Sequence, residues 1–242
     1  MSYQESPREV SAPGAHFLPV AGVAGLACAA VGLVIGFLEA GAPPFNAPLP
    51  EVLTFLRDAS GMLSASSILR FALLPLLPFI AVGIYVWLGP KADAWRLVGL
   101  FGLALVLAVG FPANSAATIA LWRLPVLEEQ PQLLTMLWSM NVVWFFGAVM
   151  SWGIGVGSFS VAGWRSGRMP RWLSALGLLI GAVGVFCGIG VNALVSRELL
   201  AGAVLSMFGL LLPVWLVATS IMLIRDGRAP RPLMDEAAAA AT

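Results

Sequence analysis

Six long apolar runs, separated by short polar or proline-rich segments, set the pattern of the chain. They cover residues 17–38, 70–88, 97–122, 133–161, 172–194 and 200–224. A helix needs roughly 20 mostly apolar residues to cross about 30 Å of hydrocarbon, and each run is close to or beyond that length. Periodicity does not separate a buried strand from a helix here, but runs this long argue for helix. In lipid every backbone polar group must be satisfied internally, which leaves helices or a closed barrel. The alternating pattern of barrel strands is missing. The pattern therefore predicts an all-α, polytopic membrane fold: a six-transmembrane-helix bundle over residues 17–225, with an N-terminal tail (1–16) and a flexible C-terminal tail (226–242).

The longest connection, residues 39–67, opens with the loop-like Gly41-Ala-Pro-Pro-Phe-Asn-Ala-Pro. Pro50 and Glu51 then suit the first turn of a helix. Val52, Phe55, Leu56, Ala59 and Leu63 follow on one face at helical spacing, with Arg57, Asp58 and Ser60 away from it. This predicts an interfacial helix lying over the bundle, with a substrate lid as the alternative. Pro75 and Pro78 each remove a backbone donor and predict a kink in the second span. If that span begins near Ala65, Arg70 lies inside it and demands a partner.

Charge then gives the threading. The N-tail, the turns after spans two and four, and the C-tail carry Arg8, Lys91, Arg96, Arg165, Arg168, Arg171, Arg225, Arg228 and Arg231. The opposite side receives Arg57, Arg70, Arg123 and Arg197. Cytoplasmic loops retain Lys and Arg, so both termini are expected in the cytoplasm. Trp164 and Trp172 bracket the turn that holds Arg165, Arg168 and Arg171, as interfacial anchors do. Residues 1–15 are polar and lack the basic start, short apolar core and cleavage site of a signal peptide, so they are expected to stay attached.

Composition agrees: 60% of residues are hydrophobic and only 10% charged, with mean hydropathy +0.93, against about a quarter charged in a soluble domain. The expected location is the cell (inner or plasma) membrane, with the lipid bilayer as the first partner. No basic stripe with interleaved aromatics points to nucleic acid.

Several stretches together resemble a family of bacterial six-helix membrane proteins classed as a domain of unknown function. They are Ile68-Leu69-Arg70, Ile84-Tyr85-Val86-Trp87-Leu88, Trp95-Arg96-Leu97-Val98-Gly99, and Arg165-Ser166-Gly167-Arg168-Met169-Pro170 leading into Leu173 and Gly177. The resemblance implies the six-span topology over residues 20–225 and carries no reaction with it. The first long connection departs from the family's longer polar loop.

Chemistry is sparse. His16 is the single histidine, which excludes a di-iron cluster, a bis-histidine haem and a multi-histidine zinc site. No lysine lies within a span, and no phosphate-binding glycine loop, dinucleotide fingerprint or nucleophile elbow occurs. No cofactor, metal or catalytic residue is expected. Cys28 and Cys187 sit in apolar runs and read as buried small hydrophobes. Glycines recur at four-residue spacing (Gly32/Gly36, Gly153/Gly157, Gly177/Gly181, Gly184/Gly188), which lets helix backbones approach closely. That serves packing within the bundle, a homo-oligomer face, or a partner membrane protein.

What remains is a set of uncharged polar groups. Asn114 lies eight residues before Trp122 and Asn141 eight after Leu133, so both fall about 12 Å from the same membrane face. Ser115, Thr118 and Ser139 lie near that depth, and Asn192 nearer the end of the fifth span. Trp138, Met140 and Trp144 offer apolar walls. One reading has the two asparagines hydrogen-bonding across two helices. The other is an outward pocket between spans three, four and five, lined by Asn114, Ser115, Thr118, Trp138, Asn141, Trp144 and Asn192, with Glu39 and Arg70 as a rim ion pair. No carboxylate falls at mid-membrane, which argues against a proton-coupled carrier. The expected function is a non-enzymatic integral membrane protein that binds a lipid or small apolar molecule. A scaffold subunit packing through its glycine faces is the alternative, and a membrane-embedded enzyme or facilitator stands third.

Overall fold

The computed structural model describes residues 16–44, 46–89, 93–190 and 198–228. Its elements are all α-helices: α1 (Phe17–Leu38), α2 (Leu49–Asp58), α3 (Ser60–Leu73), α4 (Leu76–Leu88), α5 (Asp93–Trp122), α6 (Leu124–Glu128), α7 (Pro131–Ser166), α8 (Arg171–Ile189) and α9 (Glu198–Arg228). Among the described residues, six segments are long and apolar enough to cross a membrane: α1, α3 with α4, α5, α7, α8, and Met207–Arg228 of α9. The chain is thus an all-helical, multi-pass membrane protein.

The spans form a ring in chain order. α1 packs on α4, α4 on α5, α5 on α7, α7 on α8, α8 on α9, and α9 closes back on α1. Glycine makes the tightest of these contacts. A Cβ added to Gly184 would stand 2.8 Å from both the Gly153 Cα and the Val149 carbonyl, and one on Gly181 would stand 2.8 Å from the Gly157 Cα. The α7 and α8 backbones therefore touch, and this glycine face is used inside the chain. Proline interrupts the ring elsewhere. α3 and α4 are parted at Leu74–Pro75, where the proline has no N–H to give, and Pro112 and Pro213 lie inside α5 and α9.

Helix α7 ends in the arginine-rich turn, at Gly167, whose φ of +69° is the left-handed cap that glycine supplies without a Cβ penalty. Arg168 reaches back to the carbonyl of Trp87 (2.5 Å), and the fully buried Trp87 donates its indole N–H to Asp226 of α9 (2.9 Å). Arg96 donates to the Tyr85 carbonyl (3.0 Å) and lies over the Tyr85 ring. These contacts join α4, α5, α7 and α9 at one end of the bundle, the arginine end.

At the opposite, far end, α2 presents Val52, Leu56 and Ala59 inward, with Arg57, Asp58 and Ser60 exposed. That face packs with Ala120, Leu124, Leu127 and Leu134 into a small second core under α2 and α6. An exposed ion pair from Arg57 to Glu128 (2.8 Å) fastens α2 to α6. The hydrogen bond to Glu128 lifts the already high pKa of this guanidinium.

Several boundaries differ from the sequence expectation. The second span begins at Ser60 rather than residue 70, and α7 runs to Ser166 rather than 161. Helix α9 continues to Arg228, past the expected start of the C-terminal tail at 226, because Asp226 is tied to Trp87. Asn192 and the tail residues 1–15 and 229–242 lie outside the described residues. Cys28 and Cys187 are both buried free thiols.

Candidate functional site

Arg70 stands ten residues into α3, about 15 Å along the helix from its start. A guanidinium at that depth needs a partner, and it has one. Glu39 caps the C-terminus of α1, where the helix dipole disfavours an anion. Its carboxylate accepts from Arg70 Nε (3.0 Å) and from Nη2 in a two-pronged pair, and it also accepts from the hydroxyl of Ser66. Ser66 precedes Arg70 by four residues, so one turn of α3 presents both donors to the same anion. The two charged side chains keep 23% and 24% of their exposure, which places the pair between a surface and a core ion pair in strength. The remaining Arg70 nitrogen, Nη1, has only a 3.5 Å contact to Asn114 Oδ1, at the outer limit of hydrogen bonding.

Two cavities meet at this arginine. The first, of about 190 Å³, lies at the far end between the α1–α2 connection, α2, α3, α5 and α7. Glu39, Arg70, Ser67, Trp138 and Asn141 give it polar and aromatic walls, and Leu63, Ala116, Ala117, Ala120 and Leu137 give it apolar ones. The Oδ1 of Asn141 is buried there without a hydrogen-bond partner. The second cavity, of about 320 Å³, is lined by α1, α3, α4, α5, α7 and α9, on the inside of the ring. Its walls are apolar except for Arg70 and Asn114. Arg70 and Phe145 belong to both linings and form the partition between them.

The residues expected to share one pocket are therefore divided. Trp138 and Asn141 line the outer cavity with Glu39 and Arg70, whereas Asn114 faces the inner one. Asn114 and Asn141 do not bond each other: one accepts from Arg70, and the oxygen of the other is unpartnered. Ser115 and Thr118 return their hydroxyls to their own helix, at the carbonyls of Phe111 (2.9 Å) and Asn114 (2.7 Å). Thr118 lines a separate hollow of about 320 Å³ with Ser67 and Trp122. Trp144 lines neither cavity. The fifth span, α8, contributes no described residue to either; the outer cavity lies among spans one to four, and the inner one adds span six.

Sequence reasoning missed Ser66 and Phe145. Ser66 was marked by its one-turn spacing from Arg70, and Phe145 carried no signal within an aromatic-rich run. It also missed a second polar group at the arginine end. The Ser160, Ser174 and Thr219 hydroxyls and the Trp215 indole N–H are fully buried without partners at the α7–α8–α9 junction. Ser160 Oγ and Trp215 Nε1 both abut Gly177, 1.8 and 2.5 Å from where its Cβ would be. None of these four lines either cavity.

No family model, curated protein or solved structure matches this chain.

Proposed function

We propose that the protein is a non-enzymatic integral membrane protein of the cell membrane that binds a lipid or small apolar molecule in a pocket facing outward. One observation carries this reading. The outer cavity pairs apolar walls with a few convergent polar groups, one of them the unpartnered Asn141 oxygen, and that is the make-up of small-molecule sites. Both carboxylate oxygens of Glu39 are already engaged, so the rim has no free general base among the described residues. The outward assignment follows from charge. The cavity lies at the end away from Arg165, Arg168 and Arg171, and arginine-rich turns are retained in the cytoplasm.

The test is to purify wild type and Ala117→Leu in mild detergent and to identify what co-purifies by mass spectrometry. A molecule retained near one to one by wild type and lost from the folded variant supports the reading. Equal retention by both removes it. For orientation, Ala42→Cys in a chain lacking Cys28 and Cys187 should react with an impermeant maleimide on intact cells, and Gly167→Cys only after permeabilisation.

A scaffold subunit is the second reading. Gly36 on α1 favours it, since it lines neither cavity and a Cβ there meets no atom within 4 Å. The glycines of α7 and α8 are already used against each other. A stable complex in mild detergent that Gly36→Leu dissolves would favour the scaffold.

A further inference from the structure

The inner cavity closes before the arginine end. On the arginine side of its Trp152 wall lie Trp87, Phe159 and Leu173, all fully buried, and the Arg168–Trp87–Asp226 contacts stand at that end. An empty apolar cavity of this size costs stability, because its lining loses its contacts. At its mouth stands Arg70, which has donors and no acceptor, and whose Nη1 is held only by the long contact to Asn114.

We propose that the occupant is a single-chain amphiphile with an acidic head. Its acyl chain fills the inner cavity, and its carboxylate or phosphate accepts hydrogen bonds from Arg70 Nη1 at the partition with the outer cavity. This rests on the outer-pocket reading and deepens it: the outer cavity admits the head and the inner one holds the tail. A volume of about 320 Å³ lies at the low end of ligand pockets and suits one chain rather than two. The acidic head is chosen over a cationic one because three of the roughly four acceptor sites of Glu39 are taken by Arg70 and Ser66, while Arg70 Nη1 is held only by its long contact to Asn114.

The test measures binding to the purified full chain by native mass spectrometry with three probes of equal chain length: tetradecanoate, a tetradecanoyl lysophosphatidylglycerol, and tetradecanol. At least one acidic probe should bind one to one and about tenfold or more tighter than the alcohol. Preference for the carboxylate or for the phosphate distinguishes a free fatty acid from a lysolipid. The double variant Glu39→Gln/Arg70→Gln removes both charges together and should bring the acidic probe within about twofold of the alcohol. Gly32→Leu and Gly209→Leu fill the inner cavity from positions where a Cβ meets no atom within 4 Å, so they should fold and lose about tenfold in binding of every probe.

Alcohol binding equal to that of the acidic probes, unchanged in the Gln pair, overturns the inference. So does acidic binding that both leucine variants leave intact. If no probe binds but Ala117→Leu still loses the co-purifying molecule, the inference falls and the outer-pocket reading stands. If wild type also retains nothing, both fall.

Discussion

The two ends of this bundle use the same helices in opposite ways. At the arginine end, α4, α7 and α9 converge: Trp87 and Trp215 are fully buried, Asp226 and Arg168 are fixed on Trp87, and Met169 fills the space beside Gly163. At the far end α3, α5 and α7 line two cavities, and a quarter-exposed ion pair stands between them. The difference follows from where glycine and proline fall. Glycine on α7 and α8 removes the Cβ atoms that would hold backbones apart. The helix breaks at Leu74–Pro75, and Leu74 and Pro213 line the inner cavity. One end is built to stay shut, and the other leaves room.

Four substitution sets sharpen that contrast, in falling order of expected effect. Gly184→Leu drives a side chain into the α7 backbone and should cost about 3 kcal/mol or abolish folded protein, whereas Gly36→Leu on the bare face of α1 should stay within about 0.5 kcal/mol. Unfolding in detergent, followed by circular dichroism, separates them, and equal effects would erase the distinction. Arg70→Gln or Glu39→Gln alone strands a half-buried charge and should cost about 2 kcal/mol, between exposed and buried pairs. The double variant should cost less than either single change. A strictly additive double-mutant cycle would show that the pair does not couple.

Trp87→Phe removes the indole donor from Asp226 and leaves a small void at a fully buried site, for an expected loss of about 2 kcal/mol. Asp226→Asn in the same background should then add little. Smallest of all, Thr219→Val and Ser160→Ala replace buried hydroxyls that lack partners. They should be neutral or stabilising by up to about 1 kcal/mol. A clear loss of stability would mean that an ordered water bridges those hydroxyls and the Trp215 indole.

The spans were legible because length alone decides them, and Arg70 was legible as a charge in search of a partner. The start of the second span was not. Gly61, Ser64, Ser66 and Ser67 dilute the hydropathy of α3, yet Ser64 returns its hydroxyl to the Ser60 carbonyl (2.8 Å) and Ser66 gives its own to Glu39. Polar atoms satisfied in this way do not end a helix. The arginine end of α7 was missed for the same reason, since Ser166 bonds the Gly163 carbonyl.

Equal residue depth put Asn114 and Asn141 at one level, but it says nothing of rotation about each axis. Helices apolar on all sides carry no stripe to fix that rotation. The two amides therefore serve different cavities. The partition brings Arg70 of α3 against Phe145 of α7, a pairing that no single run of sequence encodes.

The most direct test is a density map of the protein in lipid nanodiscs, read inside the ring between Arg70 and Trp152. The expected result is one elongated density along Val106, Ala113 and Phe145, ending within hydrogen-bond distance of the Arg70 guanidinium. A cavity filled by its own side chains, with Asn114 and Asn141 bonded to each other, would contradict the account.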